Sequence, residues 1–220
     1  IPLVFEGLNL PDNWIPETRN RLARRRARKP DTKAGQLWAL WPEIKAALAD
    51  FDAALARAGT LADHGPEMIE QDDTFFACPH GRLKLRAFAD GRGELIAYQR
   101  PDAQGPRTSD YTIAPVADPA ALRMALERAL GSIGRVVKRR TLFLVGRTRV
   151  HLDRVDGLGD FLELEVVLRD GEAEAPGVAE AHALLERLGV APTQLIATAY
   201  VDLLREHRAE PTTCQSEHHS

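Results

Sequence analysis

The chain has 220 residues, of which 44% are hydrophobic and 28% are charged, and its formal net charge is -3. This length and composition allow one large β-rich domain or two small ones with a sizeable core. The near balance of acids and bases argues against a general nucleic-acid binder, which usually carries a net basic domain.

Cysteine content and hydropathy bear on the compartment. The two cysteines, Cys78 and Cys214, lie far apart and lack metal-ligand spacing, a pattern typical of a reducing environment. The sequence has no apolar run long enough to span a bilayer and no signal-peptide pattern. We therefore expect a cytoplasmic protein without a membrane partner. The oligomeric state stays open between monomer and homodimer.

The first 40 residues differ in character from the rest. Four prolines interrupt any long element, and the segment 19–29 contains seven cations in eleven residues. Such a segment predicts a mobile basic arm. We expect an arm over residues 1–40, a folded domain over 41–206 and a disordered tail over 207–220.

The first half of the domain alternates between strand and turn signals. Alternation predicts strands over 43–45, 68–77, 81–86, 94–100 and 109–116. A short helix over 50–58 follows the first strand, with Asp50 as its N-cap and Gly59 at its end. The segment 90–93 has the composition of a hairpin turn.

The second half begins with the clearest helix signal in the chain. Asp118 and Pro119 open it, leucines recur at helical spacing, and Gly131 ends it. Strands follow over 136–145, 148–155 and 161–168, and then helices over 178–188 and 192–205. This order predicts an α+β fold in which a closed or nearly closed antiparallel barrel has helices packed outside.

Charged residues alternate with apolar ones along most of the predicted strands. In the segment 81–86, Arg82, Lys84 and Arg86 project from one face and the leucines from the other. The same spacing recurs at Glu43 and Lys45, at Lys138 and Arg140, at Arg149, His151 and Asp153, and at Glu163 and Glu165. Three like charges on one strand face repel one another unless an anion lies among them.

Two arrangements account for these faces. In the first, the sheet buries its leucines and exposes its charges to water, as surface strands commonly do. In the second, the apolar faces lie outward under the helices and the charges point into a barrel lumen. The second needs a ligand, because unpaired buried charge is costly. A polyphosphate with Mg²⁺ or Mn²⁺ is suitable, since cations bind phosphate oxygens and carboxylates hold the metal.

A series of sequence blocks resembles a known family. The blocks, in order, are 43–45, 71–76, 81–86, 95–100, 109–111, 137–140, 151–153 and 157–165. Together they are similar to the CYTH family, the triphosphate tunnel metalloenzymes, which groups class IV adenylyl cyclases with thiamine triphosphatases and inorganic triphosphatases. The resemblance covers roughly residues 43–205 and implies a closed eight-stranded antiparallel tunnel.

The resemblance also implies site residues and a cofactor. The metal-binding acids would be Glu43, Asp153, Glu163 and Glu165, with Mg²⁺ or Mn²⁺ as the cofactor. The phosphate-binding bases would be Lys45, Arg82, Lys84, Arg86, Arg100, Lys138 and Arg140. Glu43, Lys45 and Lys138 would be catalytic, and the partner would be a small-molecule triphosphate.

One position departs from the family pattern. The opening motif of the family is Glu-x-Glu-x-Lys, and here Trp41 stands at the first glutamate, followed by Pro42. Loss of one metal-binding carboxylate is expected to weaken metal affinity or abolish turnover.

Three functions follow from the resemblance. The first is metal-dependent hydrolysis of inorganic triphosphate, thiamine triphosphate or a nucleotide. The second is a class IV adenylyl cyclase, which converts ATP to cyclic AMP and pyrophosphate. The third is a polyphosphate- or nucleotide-binding module without turnover, which the substitution at Trp41 favours.

Overall fold

The computed structural model of the chain describes residues 36–40, 43–99, 108–168 and 172–209. Its strands are β1 (Gln36–Leu40), β2 (Glu43–Ala47), β3 (His64–Phe76), β4 (Arg82–Phe88), β5 (Gly93–Gln99), β6 (Thr108–Val116), β7 (Ser132–Val145), β8 (Thr148–Val155), β9 (Gly159–Val166) and β10 (Leu195–Ile196). Its α-helices are α1 (Phe51–Leu61), α2 (Pro119–Leu130), α3 (Glu174–Leu188) and α4 (Tyr200–Ala209).

The strands form one antiparallel sheet with the order β1-β6-β5-β4-β3-β7-β8-β9-β2-β10. β1 and β2 are consecutive in the chain and separated only by residues 41–42, yet β1 pairs with β6 and β2 pairs with β9. Counted as one strand, they link the two ends of the sheet, and the order returns to its start. With β10 as a two-residue addition, the architecture is the predicted eight-stranded antiparallel tunnel with helices.

The apolar faces of β2, β7, β8 and β9 point outward and are covered by helices. The main apolar cluster joins strands β2, β7, β8 and β9 to helices α1 and α3. Its fully buried strand members are Ala46, Val150, Leu152, Leu162, Leu164 and Val166. Burial of a leucine of this kind stabilises a fold by about 1.5–3 kcal/mol. Because side chains alternate along a strand, the intervening residues face the tunnel.

Two helices begin as their sequences predict. The carboxylate of Asp50 accepts a hydrogen bond from the backbone N–H of Ala53 at 2.9 Å, and Asp118 does the same for Ala121 at 2.9 Å. These caps satisfy backbone donors that the first helical turn leaves without partners.

Helix α4 packs against the tunnel-facing side of the sheet at one end. Tyr200 and Val201 form an apolar cluster with Phe75, Val136 and Phe161, which lie on the inner faces of β3, β7 and β9. Close approach is possible because β7 has glycine at 134, where an added Cβ would lie 2.5 Å from the Val201 Cγ2 atom. The helix therefore closes one tunnel mouth.

Several sequence predictions differ from the structure. Helix α1 continues through Gly59, its predicted end, to Leu61. The helix predicted over 192–205 is wrong in its first half, where a 3-10 turn (Pro192–Gln194) and strand β10 precede α4. β10 pairs with Ala46 and Lys45 of β2, so its backbone groups form hydrogen bonds between strands and not within a helix. Residues 36–40, assigned to the arm, form β1 and pair with β6, so the paired sheet begins before the predicted boundary.

Residues 207–209, assigned to the tail, belong to α4, so the folded domain also extends past its predicted end. Residues 1–35 and 210–220 lie outside the described residues, so the remainder of the predicted arm and of the predicted tail stays a prediction. Among the described helices, none is both long and apolar enough to cross a membrane.

Candidate functional site

The inner faces of β2, β7, β8 and β9 bring together charged side chains that the sequence predicts as site residues. These are Lys45, Lys138, Arg140, Asp153 and Glu163, each exposed by 7% or less. Because their strand neighbours are the outward apolar residues, the charges point into the tunnel. The structure thus selects the second of the two arrangements that the sequence left open.

Asp153 is held by both members of a Lys-x-Arg pair on β7. Lys138 Nζ donates to Asp153 Oδ2 at 2.6 Å, and Arg140 donates from Nε to Oδ1 at 2.7 Å and from Nη2 to Oδ2 at 2.6 Å. Burial alone would raise the pKa of Asp153, but Arg140 and Lys138 outweigh it and lower that pKa. The carboxylate is therefore ionised, and both of its oxygens bind bases.

Glu163 lies between three cations. Arg140 Nη2 donates to its Oε2, Lys45 Nζ lies 3.2 Å from Oε1, and Lys138 Nζ lies 3.9 Å from Oε2. Burial would raise the pKa of Glu163, but Lys138, Lys45 and Arg140 together hold it well below its usual range. Two of the predicted catalytic residues, Lys45 and Lys138, thus converge on one carboxylate.

Tyr200 contributes to the same cluster from α4. Its ring centroid lies 4.2 Å from Lys45 Nζ and 5.0 Å from Lys138 Nζ, and its hydroxyl donates to Asp153 Oδ2 at 3.3 Å. Burial, with the negative charges of Glu163 and Asp153, raises the pKa of Tyr200, so the phenol keeps its proton. Tyr200 was not predicted as a site residue, because its place depends on how the last helix enters the tunnel.

The second cationic pair, on β4, is bound by an aspartate that sequence reasoning missed. Asp73 of β3 accepts hydrogen bonds from Lys84 at 2.7 Å and from Arg86 at 2.7 and 2.8 Å. It is 4% exposed, and Arg86 and Lys84 overcome the effect of its burial to lower its pKa. The available signal was its position two residues after Gln71, on a strand whose alternate residues face inward.

Buried cations repel one another in this tunnel. Burial lowers the pKa of Lys84 to about 8, and the positive charge of Arg86 adds to that shift, whereas Asp73 opposes it. Lys138 has a lowered pKa for the same reasons, burial first and Arg140 second. An anion placed among these groups would favour their charged forms.

Glu165 and its neighbours lie further along the tunnel. Glu165 Oε2 is 3.6 Å from Arg149 Nη1, and Glu165 Oε1 is 3.7 Å from His151 Nδ1. Glu43 opposes Glu165 in the register of β2 and β9. Burial and Arg140 hold the pKa of His151 well below its usual value, so the ring is neutral. Its Nδ1 atom has no hydrogen-bond partner within the described part of the chain.

Two predicted phosphate-binding residues are not part of this cluster as the structure describes it. Arg82 on β4 donates to Asp202 of α4 at 2.6 Å, which ties the closing helix to the cationic strand. Arg100, like Trp41 and Pro42, is not among the described residues.

The acids have the chemistry that a hard divalent cation requires, although they do not form a complete site. Glu163 and Glu165 lie two apart on the inner face of β9, and carboxylate oxygens are the donors that Mg²⁺ and Mn²⁺ prefer. Among the residues that the structure describes, no three His, Cys, Asp or Glu side chains are grouped as metal ligands. The side chain of Glu43 is not described, and the oxygens of Asp153 are bound to Lys138 and Arg140.

Solved structures share this fold. The PH1012 protein of Pyrococcus horikoshii OT3 is 23% identical and superposes with a TM-score of 0.67 over 74% of this chain and 99% of its own. A Vibrio parahaemolyticus protein, provisionally described as an adenylate cyclase, is 20% identical and has a TM-score of 0.63 over 76% of this chain and 99% of its own.

Sequence comparison identifies the family. The adenylate cyclase CyaB of Aeromonas hydrophila is 29% identical over 177 residues, which cover 74% of this chain and 88% of that protein. The model of the CYTH domain matches residues 42–200, a range that contains the described strands β2 to β10 and helices α1 to α3 and ends at Tyr200, the first residue of α4. The chain therefore belongs to the CYTH domain family.

Proposed function

We propose that this protein hydrolyses a triphosphate in the tunnel with the help of Mg²⁺ or Mn²⁺. The observation that carries the proposal is the excess of cations among the most buried charged side chains of the described strands. Five bases with side chains at most 17% exposed, Lys45, Lys84, Arg86, Lys138 and Arg140, contact three carboxylates, Asp73, Asp153 and Glu163, whereas Glu165 is 24% exposed. Buried positive charge beyond what the acids balance favours a polyanion.

The family is divalent-metal dependent in general. We assign the metal to Glu43, Asp153, Glu163 and Glu165, of which Asp153 and Glu163 also contact the bases. A bound Mg²⁺ or Mn²⁺ would neutralise charge on the phosphate oxygens. The bases of β2, β4 and β7 would bind and align the phosphates, and most of the rate enhancement would come from this electrostatic preorganisation.

Hydrolysis is tested by product analysis. The protein is incubated with Mg²⁺ or Mn²⁺ and, separately, with inorganic triphosphate, thiamine triphosphate and ATP. Release of orthophosphate from at least one of them is expected. Glu165→Gln should reduce turnover by at least about a hundredfold. Loss of a residue that only hydrogen-bonds to a metal ligand already costs about tenfold to a hundredfold, and Glu165 is assigned as a ligand itself. Glu70→Gln, an exposed acid on β3, is the matched control and should keep wild-type turnover.

A second candidate is the cyclase reaction, because the Aeromonas relative is named an adenylate cyclase. If ATP gives cyclic AMP and pyrophosphate, and none of the three compounds gives orthophosphate, the reaction is cyclisation and not hydrolysis. If the protein binds triphosphate tightly but forms no product at high Mn²⁺, it is a binding module without turnover. The substitution at Trp41 favours this third function.

A further inference from the structure

Asp73 and Asp153 bind their cations through the same set of atoms. In each case a lysine Nζ donates to Oδ2, an arginine Nε donates to Oδ1, and the arginine Nη2 donates to Oδ2. In each case the lysine and the arginine are two residues apart on one strand and the aspartate is on the next. The tunnel therefore contains two copies of one arrangement, which we name the β4 grip (Lys84, Arg86) and the β7 grip (Lys138, Arg140).

The register explains why the two copies match. Asp73 lies opposite Arg86 in the β3–β4 pair, and Asp153 lies opposite Arg140 in the β7–β8 pair. A carboxylate directly across from a guanidinium meets it in the two-point geometry that both groups favour. The lysine two residues away then donates to Oδ2 of the same carboxylate, the oxygen that also accepts from the arginine Nη2.

The two grips are close enough to act on one ligand. β3 and β7 are neighbours in the sheet, so the order across the four strands is base, acid, base, acid. The positive charge of Lys138 lowers the pKa of Lys84, and the positive charge of Arg86 lowers the pKa of Lys138. Because the two cationic pairs lie on strands separated only by β3, they can contact separate phosphoryl groups of one polyphosphate chain.

We propose that Asp73 is a positioning residue, which holds Lys84 and Arg86 aligned for the phosphates of the substrate. The inference rests on the proposed function and extends it to a residue outside the predicted site. The two-point contact with Asp73 uses two of the five N–H donors of the Arg86 guanidinium. Without the carboxylate, the adjacent cations repel each other and lose the shared anchor that sets their direction.

The experiment measures binding of inorganic triphosphate by calorimetry, with wild-type protein and Asp73→Asn. The affinity of the variant should fall by roughly tenfold to a hundredfold, as when a charge-assisted contact is lost. The pH above which binding weakens should also move lower, because Asp73 raises the pKa of Lys84. The other charges that face Lys84, namely Arg86 on β4 and Lys138 on β7, are unchanged in the variant.

The neighbouring residue offers a matched control. Asp72 also binds two arginines, with contacts of 2.8 Å to Arg123 and 2.7 Å to Arg135, but it lies on the outer face of β3. Asp72→Asn removes the same charge and a similar number of contacts, and its triphosphate affinity and pH dependence should match the wild type. If Asp73 has only a structural role, Asp73→Asn should have the same triphosphate affinity and pH dependence as Asp72→Asn.

A second variant covers the case in which Asp73→Asn does not fold. Asp73→Glu keeps the charge and displaces the carboxylate by one methylene, so it should bind with an affinity between those of the wild type and of the asparagine variant. If both Asp73 variants bind triphosphate as the wild type does, the positioning role is wrong and the proposed function stands. If the wild type binds no triphosphate, the proposed function fails and the positioning role fails with it.

Discussion

At the scale of single residues, the site is defined by bases whose burial works against their charge. Lys84 is the clearest case, because burial and Arg86 lower its pKa to about 8 despite the contact with Asp73. The unfolded chain holds the proton up to about pH 10.5. The unliganded protein therefore gains stability from this group as the pH rises from about 8 to about 10.5.

Binding of a triphosphate should reverse this shift and take up a proton. At pH 8.5 a large fraction of Lys84 is neutral in the unliganded protein, and a bound polyanion favours the charged amine. Calorimetry in two buffers of different ionisation enthalpy should show uptake of up to one proton at pH 8.5 and less at pH 6.5. Lys84→Arg, which stays charged at both values, should lack this contribution. Equal proton uptake by the arginine variant would show that a group other than Lys84 takes up the proton.

At the scale of elements, the alternation in the sequence predicts the strands and their charged faces, but not which residues meet. The pattern from Arg82 to Arg86 gives one cationic face without naming the acid opposite it. Asp72 and Asp73 are equivalent in the sequence, and only the pairing of β3 with β4 and β7 sends one outward and the other into the tunnel. The first half of the predicted helix over 192–205 is wrong because strand pairing with β2 is a long-range contact that the local sequence pattern does not contain.

The contact between β7 and α4 has a consequence for stability. A Cβ at position 134 would lie 2.5 Å from Val201 Cγ2, so Gly134→Ala should lower the free energy of unfolding by about 1–3 kcal/mol, as overpacking does. Val201→Ala removes that methyl group, and the double variant should lose less stability than the sum of the two single variants. Urea denaturation of the four proteins measures the coupling.

A second glycine serves as the control. Gly59 lies in α1 with open space around its Cβ position, so Gly59→Ala should stabilise the protein by roughly 0.5–1 kcal/mol through helix propensity alone. Strictly additive losses for Gly134→Ala and Val201→Ala would mean that α4 does not pack against β7 as described.

At the scale of the whole molecule, two features work together. With β1 and β2 counted as one strand, the order of the sheet returns to its start, and helices cover the apolar outer faces of β2, β7, β8 and β9, so that charged side chains line the interior. The blocks of the sequence that resemble the CYTH family predict this inversion, whereas composition alone left it open. The entry of α4 into one mouth brings Tyr200 against Lys45 and Lys138, and it depends on a tertiary contact made at Gly134.

A fold built around an excess of buried cations should be stabilised by the polyanion that it binds. At a triphosphate concentration of 100 times the Kd, mass action adds about 2.7 kcal/mol, which corresponds to a rise in Tm of roughly 5–10 °C for a protein of this size. Lys84→Met should leave the unliganded Tm at pH 7 no lower than that of the wild type, because protonation of this buried amine is unfavourable, and should cut the triphosphate-induced rise by at least about half. Arg154→Met is the control, since Arg154 lies outside the tunnel against Asp52 and Phe51, and it should keep the full rise. If Lys84→Met instead lowers the unliganded Tm and keeps the full rise, the inner cations act as structural ion pairs and the tunnel is not organised for a polyphosphate.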